Sequence, residues 1–397
     1  MPNDSSRRNF LATGLVLPAS AIAATTGAQS AQPAAPPASA PKAVAGQPAL
    51  EFRTLGKTGL KVTSMGFGCM VTSDAAVIAQ AVEMGINFFD TARVYQGGNN
   101  ERMVGAALKG KRQKLVLSSK TLAPTKDGAL AHLDTSLKEL QTDYLDIWYL
   151  HSKSKPEHIT DDLMEAQRIA KQQGKIRFAG ISSHVGHREL IPAVIKANHF
   201  DVLLASYNFT MGTTIDDLLE QTRKAGIGVV AMKVFAGGYH PIPAVKNDPQ
   251  VIELLHREGA MFAALKWALK NKHVDTTIPS ITDLDQLDED VRAMASPFTP
   301  ADEKVLSAQL DFLRPRYCRM CNSCDGTCPQ GLPVADVLRF LTYAEGYGQF
   351  AVARENFLEL SAEQRSVRCG DCAECAVKCV NGVHVRERLA RAQELFA

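Results

Sequence analysis

From Phe52 onward, short apolar runs rich in β-branched residues alternate with longer stretches whose apolar residues recur every three or four positions. The short runs predict strands at Ser64 to Gly68, Ile86 to Asp90, Leu115 to Ser119, Tyr144 to Leu150, Ile176 to Ile181, Val202 to Ser206, Gly228 to Met232 and Thr276 to Pro279. Between them, stretches such as "DAAVIAQAVEMG", "LAHLDTSLKELQ" and "GAMFAALKWALKNK" carry helical spacing, and several end on Gly. "FRTLGKTGLKVT", ahead of the first strand, reads as a hairpin. Eight strand-helix units over about 250 residues predict an α/β fold, a closed (β/α)8 TIM barrel. The competitor is a doubly wound open sheet, against which weighs the lack of a GxGxxG after the first strand.

The N-terminus has a different pattern. Arg7-Arg8, then Phe10-Leu11, a mildly apolar run and small residues around Ala28 to Ala31 resemble a twin-arginine export signal. Residues 32–49, mostly Ala and Pro, are too poor in large apolar side chains to form a core and read as a linker. The expected division is a leader over 1–31, this linker, a barrel over 50–300 and a small C-terminal domain over 301–397, with the mature chain in the periplasm.

Composition narrows the function. Hydrophobic residues at 45%, charged residues at 22% and a net charge of +2 are ordinary for a globular chain and give no field for binding nucleic acid. No run after the leader is long and uncharged enough to span a membrane.

The cysteines are concentrated at the C-terminus. "CRMCNSCDGTC" and "CGDCAECAVKC" place Cys318, Cys321, Cys324 and Cys328, then Cys369, Cys372, Cys375 and Cys379, at one repeated spacing. Disulfides, zinc and iron-sulfur clusters compete for them. Three thiols at three-residue intervals on one loop face one object, which weighs against disulfides, and structural zinc takes two ligands from each of two knuckles. C-x2-C-x2-C-x3-C, followed once by Pro329, is the bacterial ferredoxin pattern, in which the fourth cysteine of each run serves the other run's cluster. Two [4Fe-4S] clusters are therefore expected, one on Cys318, Cys321, Cys324 and Cys379, the other on Cys369, Cys372, Cys375 and Cys328, in a mostly helical, ferredoxin-like domain beside the barrel mouth. Val380 stands where a second proline is usual.

Barrel chemistry belongs at the carboxyl ends of the strands. Asp90 closes "INFFD", Tyr95 lies five residues beyond it, Lys120 closes "KLVLSSK" and His151 closes "DYLDIWYLH". A phenol, with its unperturbed pKa of about 10, needs a neighbouring cation to stabilise phenolate at neutral pH. Lys120 can be that cation, Asp90 can hold it, and His151 can bond a substrate oxygen.

With "GINFFDTARVY", "GNNERMVGAAL", "SLKELQTDYLDIWYLH" and "GKIRFAGISSH", the stretch from Phe52 to Asp290 resembles the aldo-keto reductase family. The resemblance implies NADP- or NAD-dependent reduction of a small carbonyl, or oxidation of an alcohol, with Tyr95 as acid assisted by Asp90, Lys120 and His151. It further implies cofactor contacts at Gly68, Cys69, Met70, Ser182, Ser183, Tyr207, Asn208, Met232, Ser280, Gln286 and Glu289. Met232 falls where many members stack an aromatic on nicotinamide, and Leu204 where a glutamine supports the carboxamide. Ser280 and Gln286 replace the cations that often hold the 2′-phosphate. Cys69, outside both runs, reads more simply as a small buried side chain.

The two halves pose a question of electron number. Nicotinamide moves hydride, a cluster moves single electrons, and no flavin fingerprint is visible to convert between them. Two functions follow: an exported oxidoreductase coupled or fused to electron-transfer clusters and a redox partner protein, or a non-catalytic electron-transfer or assembly subunit with the barrel as scaffold.

Overall fold

The computed structural model describes residues 49–237 and 259–396; the leader and all of the linker except residue 49 lie outside the described residues. The hairpin forms as expected. Strand β1 (Phe52–Thr54) pairs antiparallel with β2 (Lys61–Thr63), and Gly59, at φ 73°, turns the chain. Its Leu55, Leu60 and Val62 pack with Phe88, Val116, Ile147 and Leu204 in the barrel interior, forming a floor.

The barrel strands are β3 (Phe67–Gly68), β4 (Phe88–Asp90), β5 (Val116–Thr121), β6 (Leu145–Leu150), β7 (Ile176–Ser183), β8 (Val202–Ser206), β9 (Gly228–Met232) and β10 (Thr276–Thr277). Neighbours pair in chain order and all are parallel. Parallel bridges Met65 to Thr277 and Gly68 to Ser280 join the last strand to the first. That seam makes a closed barrel and excludes the open sheet.

Helices α1 (Ala75–Glu83), α2 (Asn99–Ala107), α3 (Lys126–Leu140), α4 (Asp161–Gln172), α5 (His187–Ala197), α6 (Asp216–Lys224), α7 (Ala260–Leu269) and α8 (Leu284–Met294) run between and after the strands. Asp74, Thr125, Thr160 and Asp283 cap four of them by accepting backbone N–H bonds. Their apolar faces join the outer surfaces of the strands in one core.

Beyond the barrel come α9 (Pro300–Leu313), α10 (Val334–Glu345), α11 (Phe350–Leu358), α12 (Ala362–Ser366) and α13 (Val385–Phe396). Phe396 lies 5.6 Å from Phe357 and 5.9 Å from Phe350, ring centre to ring centre, which ties α13 to α11. Glu345 at the end of α10 pairs with Arg388 and Arg391 of α13. These helices are not a body apart, because all described residues fall in one compact unit. Lys266 of α7 pairs with Asp302 of α9 at 2.7 Å, and the Ser206 hydroxyl at the end of β8 donates to the Met320 sulfur at 3.6 Å. Among the described residues no helix is long and apolar enough to cross a membrane.

Candidate active site

The carboxyl ends of β4, β5 and β6 bring Asp90, Lys120 and His151 together, each 6% exposed or less. Lys120 Nζ donates to Asp90 Oδ2 at 2.5 Å, to the Thr91 carbonyl at 2.7 Å and to the Tyr95 hydroxyl at 3.3 Å. Ser118 Oγ donates to Asp90 Oδ1 at 2.7 Å. Burial pushes Asp90 up and Lys120 down, each opposed by the other's charge.

Tyr95 is held by a folded-back loop. Gln96, Gly97 and Gly98 follow it with φ of 52°, 60° and 87°, and the Gln96 amide donates to the Thr72 carbonyl at 2.8 Å. The left-handed φ of Gly98 favours glycine, and the space where a Cβ would stand is taken by the Arg93 guanidinium, which pairs with Glu101 of α2. Glu101 in turn accepts from Ser119 Oγ at 2.6 Å, anchoring the loop to β5.

Burial first, then the Asp90 charge and neighbouring Tyr343, hold Tyr95 well above its ordinary pKa, so the resting hydroxyl is protonated despite Lys120. The His151 ring meets Tyr95 edge-on at 6.0 Å. Burial and nearby cations, Lys120 foremost, hold His151 far below its usual range and therefore neutral. Its Nδ1 is buried without a partner among the described residues.

A cleft lined by Gly68, Met70, Tyr95, Met232, Ser280 and Gln286 runs from this cluster across the mouth. With Asp90, these make seven of the expected cofactor or catalytic positions that line it; the others do not. Cys69 turns into the core between Gly68 and Met70, and burial pushes its thiol far up, as suits an inert side chain. Ser182 Oγ accepts from the Ser152 N–H at 2.9 Å, and Ser183 Oγ donates to the Val185 carbonyl at 2.7 Å. Tyr207 faces outward: its hydroxyl donates to Asp216 at 2.8 Å, Asn271 donates to it at 2.8 Å, and its ring sits 4.9 Å from Trp267. Asn208 donates to the Lys233 carbonyl at 3.1 Å and to the Tyr317 hydroxyl at 3.4 Å, bridging barrel and C-terminal segment. Glu289, on α8, is not among the cleft-lining residues.

The sequence reading missed the residues that cover the cleft. Tyr347, just past α10, lines it with His184 and Lys233, and Tyr343 of α10 stacks on Tyr347 at 5.8 Å. Their one sequence signal was the aromatic spacing in "FLTYAEGYG", which also fits an ordinary core face.

The eight clustered cysteines fall into two groups. Cys318 is buried, and burial first, then Cys324, Cys321 and Cys379, push its thiol up to about 12 against a Met320 N–H. Burial first, then Cys328, Cys372 and Cys375, push Cys369 up to about 11. Each group thus holds three cysteines of one run and the fourth of the other. Met320 and Asn322, at φ 59° and 65°, curl the first loop so that the Met320 N–H donates to Cys318 Sγ at 3.4 Å. Asn381 donates from its backbone to Cys379 Sγ at 3.4 Å and from its side chain to Cys321 Sγ at 3.3 Å. Among the described residues no three His, Cys, Asp or Glu side chains converge tightly enough for a single metal ion.

A closed eight-stranded barrel with an acid-base cluster and a cleft at the carboxyl ends of its strands has the architecture of a barrel oxidoreductase. Residues 69–308 match the aldo/keto reductase family, more than half of the 397 residues, and the chain belongs to that family. It is 28% identical over 306 residues to L-galactose dehydrogenase of Arabidopsis thaliana, covering 67% of this chain and 95% of that protein. It is 34% identical over 161 residues to the uncharacterized oxidoreductase YqkF of Bacillus subtilis, covering 36% of this chain and 50% of that one. The holo form of aldo-keto reductase AKR11C1 from Bacillus halodurans superposes with a TM-score of 0.56 at 27% identity, over 66% of this chain and 96% of its own. An aldo-keto reductase from Klebsiella pneumoniae, solved with NADPH, shares the fold with a TM-score of 0.54 at 23% identity, over 67% of this chain and 95% of its own. The protein is an aldo-keto-reductase-type oxidoreductase. The family match ends ahead of the first cysteine run.

Proposed function

We propose that the protein reduces a small carbonyl compound, or oxidises the corresponding alcohol, with NADP(H), and that Tyr95 is the general acid. The observation that carries this reading is the Lys120 ammonium, shared between the Asp90 carboxylate at 2.5 Å and the Tyr95 hydroxyl at 3.3 Å. The protonated Tyr95 hydroxyl donates its proton to the carbonyl oxygen. Lys120 then stabilises the phenolate left behind, and Asp90 keeps Lys120 in place. Neutral His151, edge-on to Tyr95, offers the carbonyl oxygen a second hydrogen bond. Nicotinamide, when bound, supplies the hydride. Gly68, Met70, Met232, Ser280 and Gln286 would hold the dinucleotide, since they line one continuous cleft from Tyr95.

The cysteine groups support two [4Fe-4S] clusters, on Cys318, Cys321, Cys324 and Cys379 and on Cys369, Cys372, Cys375 and Cys328. Each group of four thiols would hold one cluster, whereas no site for a single metal ion forms among the described residues. N–H donors to Cys318 and Cys379 suit thiolate ligands. Such clusters, when bound, carry single electrons to or from a partner. The Arg7-Arg8 leader supports export by a route that carries folded, loaded proteins to the periplasm.

Tyr95→Phe tests the reading: kcat for carbonyl reduction should fall about 10²- to 10⁴-fold with NADPH affinity and iron content retained. Turnover at the parent rate overturns it. NADPH and NADH are compared in the same assay, and the mass of the mature chain reports removal of the leader.

A further inference from the structure

Lys233 follows β9 directly and adopts φ 59°, a left-handed backbone that a non-glycine residue rarely takes. Its ammonium lies 4.5 Å from the centre of the Tyr343 ring and 5.4 Å from that of Tyr347, and 3.5 Å from the Tyr343 hydroxyl. Among the described residues it has no carboxylate partner, and burial pushes its pKa down. Arg339, one turn before Tyr343 on α10, donates to the same hydroxyl at 2.9 Å. Its guanidinium is 11% exposed, and its Nε is buried without a partner among the described residues. Its carboxylate partner Asp336, bonded at 2.8 Å, is 44% exposed and a weak counter-charge.

Two cations therefore converge on one phenol oxygen, with one half-solvated carboxylate among the described residues to balance them. Buried charge without a partner is costly, so such a pair is sustained where an anion completes it. Arg339 and Lys233 both act on His151 and His184, holding the two rings neutral in addition to the larger effect of burial. Lys233 lines the cleft together with Asp90, Tyr95 and His184, and Arg339 stands behind it, across the Tyr343 hydroxyl. With the two terminal nitrogens of Arg339 engaged by Tyr343 and Asp336, the Lys233 ammonium and the Arg339 Nε–H are the donors left for the oxygens of a carboxylate. Tyr343 already responds to them: burial would raise its phenol, yet Arg339 and Lys233 bring it down to about 8.

We propose that Lys233 of the barrel and Arg339 of the C-terminal segment form an anion-binding subsite, and that the substrate is an oxo acid whose carboxylate sits there while its carbonyl faces Tyr95. The proposal deepens the carbonyl-reductase reading and rests on it. It also assigns the segment beyond the family match a part in choosing the substrate. A dinucleotide phosphate is the other source of an anionic oxygen group, and the test separates the two.

Phenylglyoxylate and its methyl ester carry the same ketone with and without the charge. In the full-length protein with NADPH, Arg339→Met and Lys233→Met should each lower the acid-to-ester ratio of kcat/KM about 10- to 100-fold, mainly through KM of the acid. Arg339→Lys should restore part of that ratio. An unchanged ratio overturns the proposal, as does a loss of NADPH affinity that accounts for the whole effect. If Arg339→Met does not fold, Lys233→Met decides. If the parent protein reduces neither compound, the reductase reading fails by itself, and calorimetry with benzoate and benzamide judges the subsite. Benzoate binding that is lost in Lys233→Met upholds it; equal binding of benzoate and benzamide overturns it.

Discussion

Gly346 and Gly237 meet backbone to backbone: a Cβ on Gly346 would fall 1.8 Å from the Gly237 carbonyl oxygen. This contact seats the end of α10, with Tyr343 and Tyr347, against the loop that follows β9. Gly346→Ala should destabilise the protein by about 1–3 kcal/mol, the usual cost of overpacking, and lift the tyrosines from the cleft. Denaturant unfolding reads the first effect. A fall in kcat/KM, with no change in secondary structure by circular dichroism, reads the second.

Asp90 and Lys120 are a buried pair, so removing one partner costs more than removing both. Asp90→Asn alone should lose about 3–5 kcal/mol of stability, and Asp90→Asn with Lys120→Met should recover much of it. Activity should stay low in both, because the single variant leaves Lys120 without the carboxylate that holds it beside Tyr95 and the double variant leaves no cation there. Urea melts and steady-state rates on the three proteins check this.

His151, His184 and His187 are held neutral in the fold, His187 at about 4, chiefly by burial. Unfolded, each titrates near about 6.5. Between those values the unfolded chain binds the extra protons. Stability from these groups is therefore complete above pH 6.5 and is lost as pH falls, by up to about 1.4 kcal/mol per pH unit for each histidine. His187→Gln should flatten the dependence of the urea midpoint on pH between 6.5 and 4 by about one proton.

Tyr343 should ionise near pH 8 in the folded protein. Difference absorbance at 295 nm should show one early phenol step, absent from Tyr343→Phe. Between pH 8 and 10 the fold alone carries that phenolate, so this group adds stability as pH rises through the window.

The interleaved cysteine groups predict paired phenotypes. Cys318→Ser and Cys379→Ser should disturb one paramagnetic signal, and Cys369→Ser and Cys328→Ser the other, from a parent carrying about eight irons per chain. Pairing that follows sequence runs instead would show that each run serves its own cluster.

The strand-helix rhythm made the barrel legible, and so was the cluster at its mouth, because Asp90, Lys120 and His151 end strands where side chains must point inward. Cofactor contacts were less legible. Tyr207 follows a strand as Asn208 does, but one residue of rotation sends its ring outward to Trp267 and its hydroxyl to Asp216. The covering residues were illegible for another reason. Arg339 and Tyr343 show helical spacing like any amphipathic helix, and only tertiary packing brings them to Lys233. The strained φ of Lys233 leaves no mark on composition.

The barrel seam has a consequence for how the chain is made. Thr276 Oγ1 bonds the Thr63 carbonyl, two residues 213 apart in sequence. While the ribosome is still working through the intervening chain, the first strand has an unpaired edge, the kind of surface that recruits other strands. Closing late means that the nascent protein spends most of its synthesis as an open sheet, when chaperones or aggregation compete for it. A truncation that removes β10 should therefore do more than shorten the barrel: it should leave that edge permanently sticky.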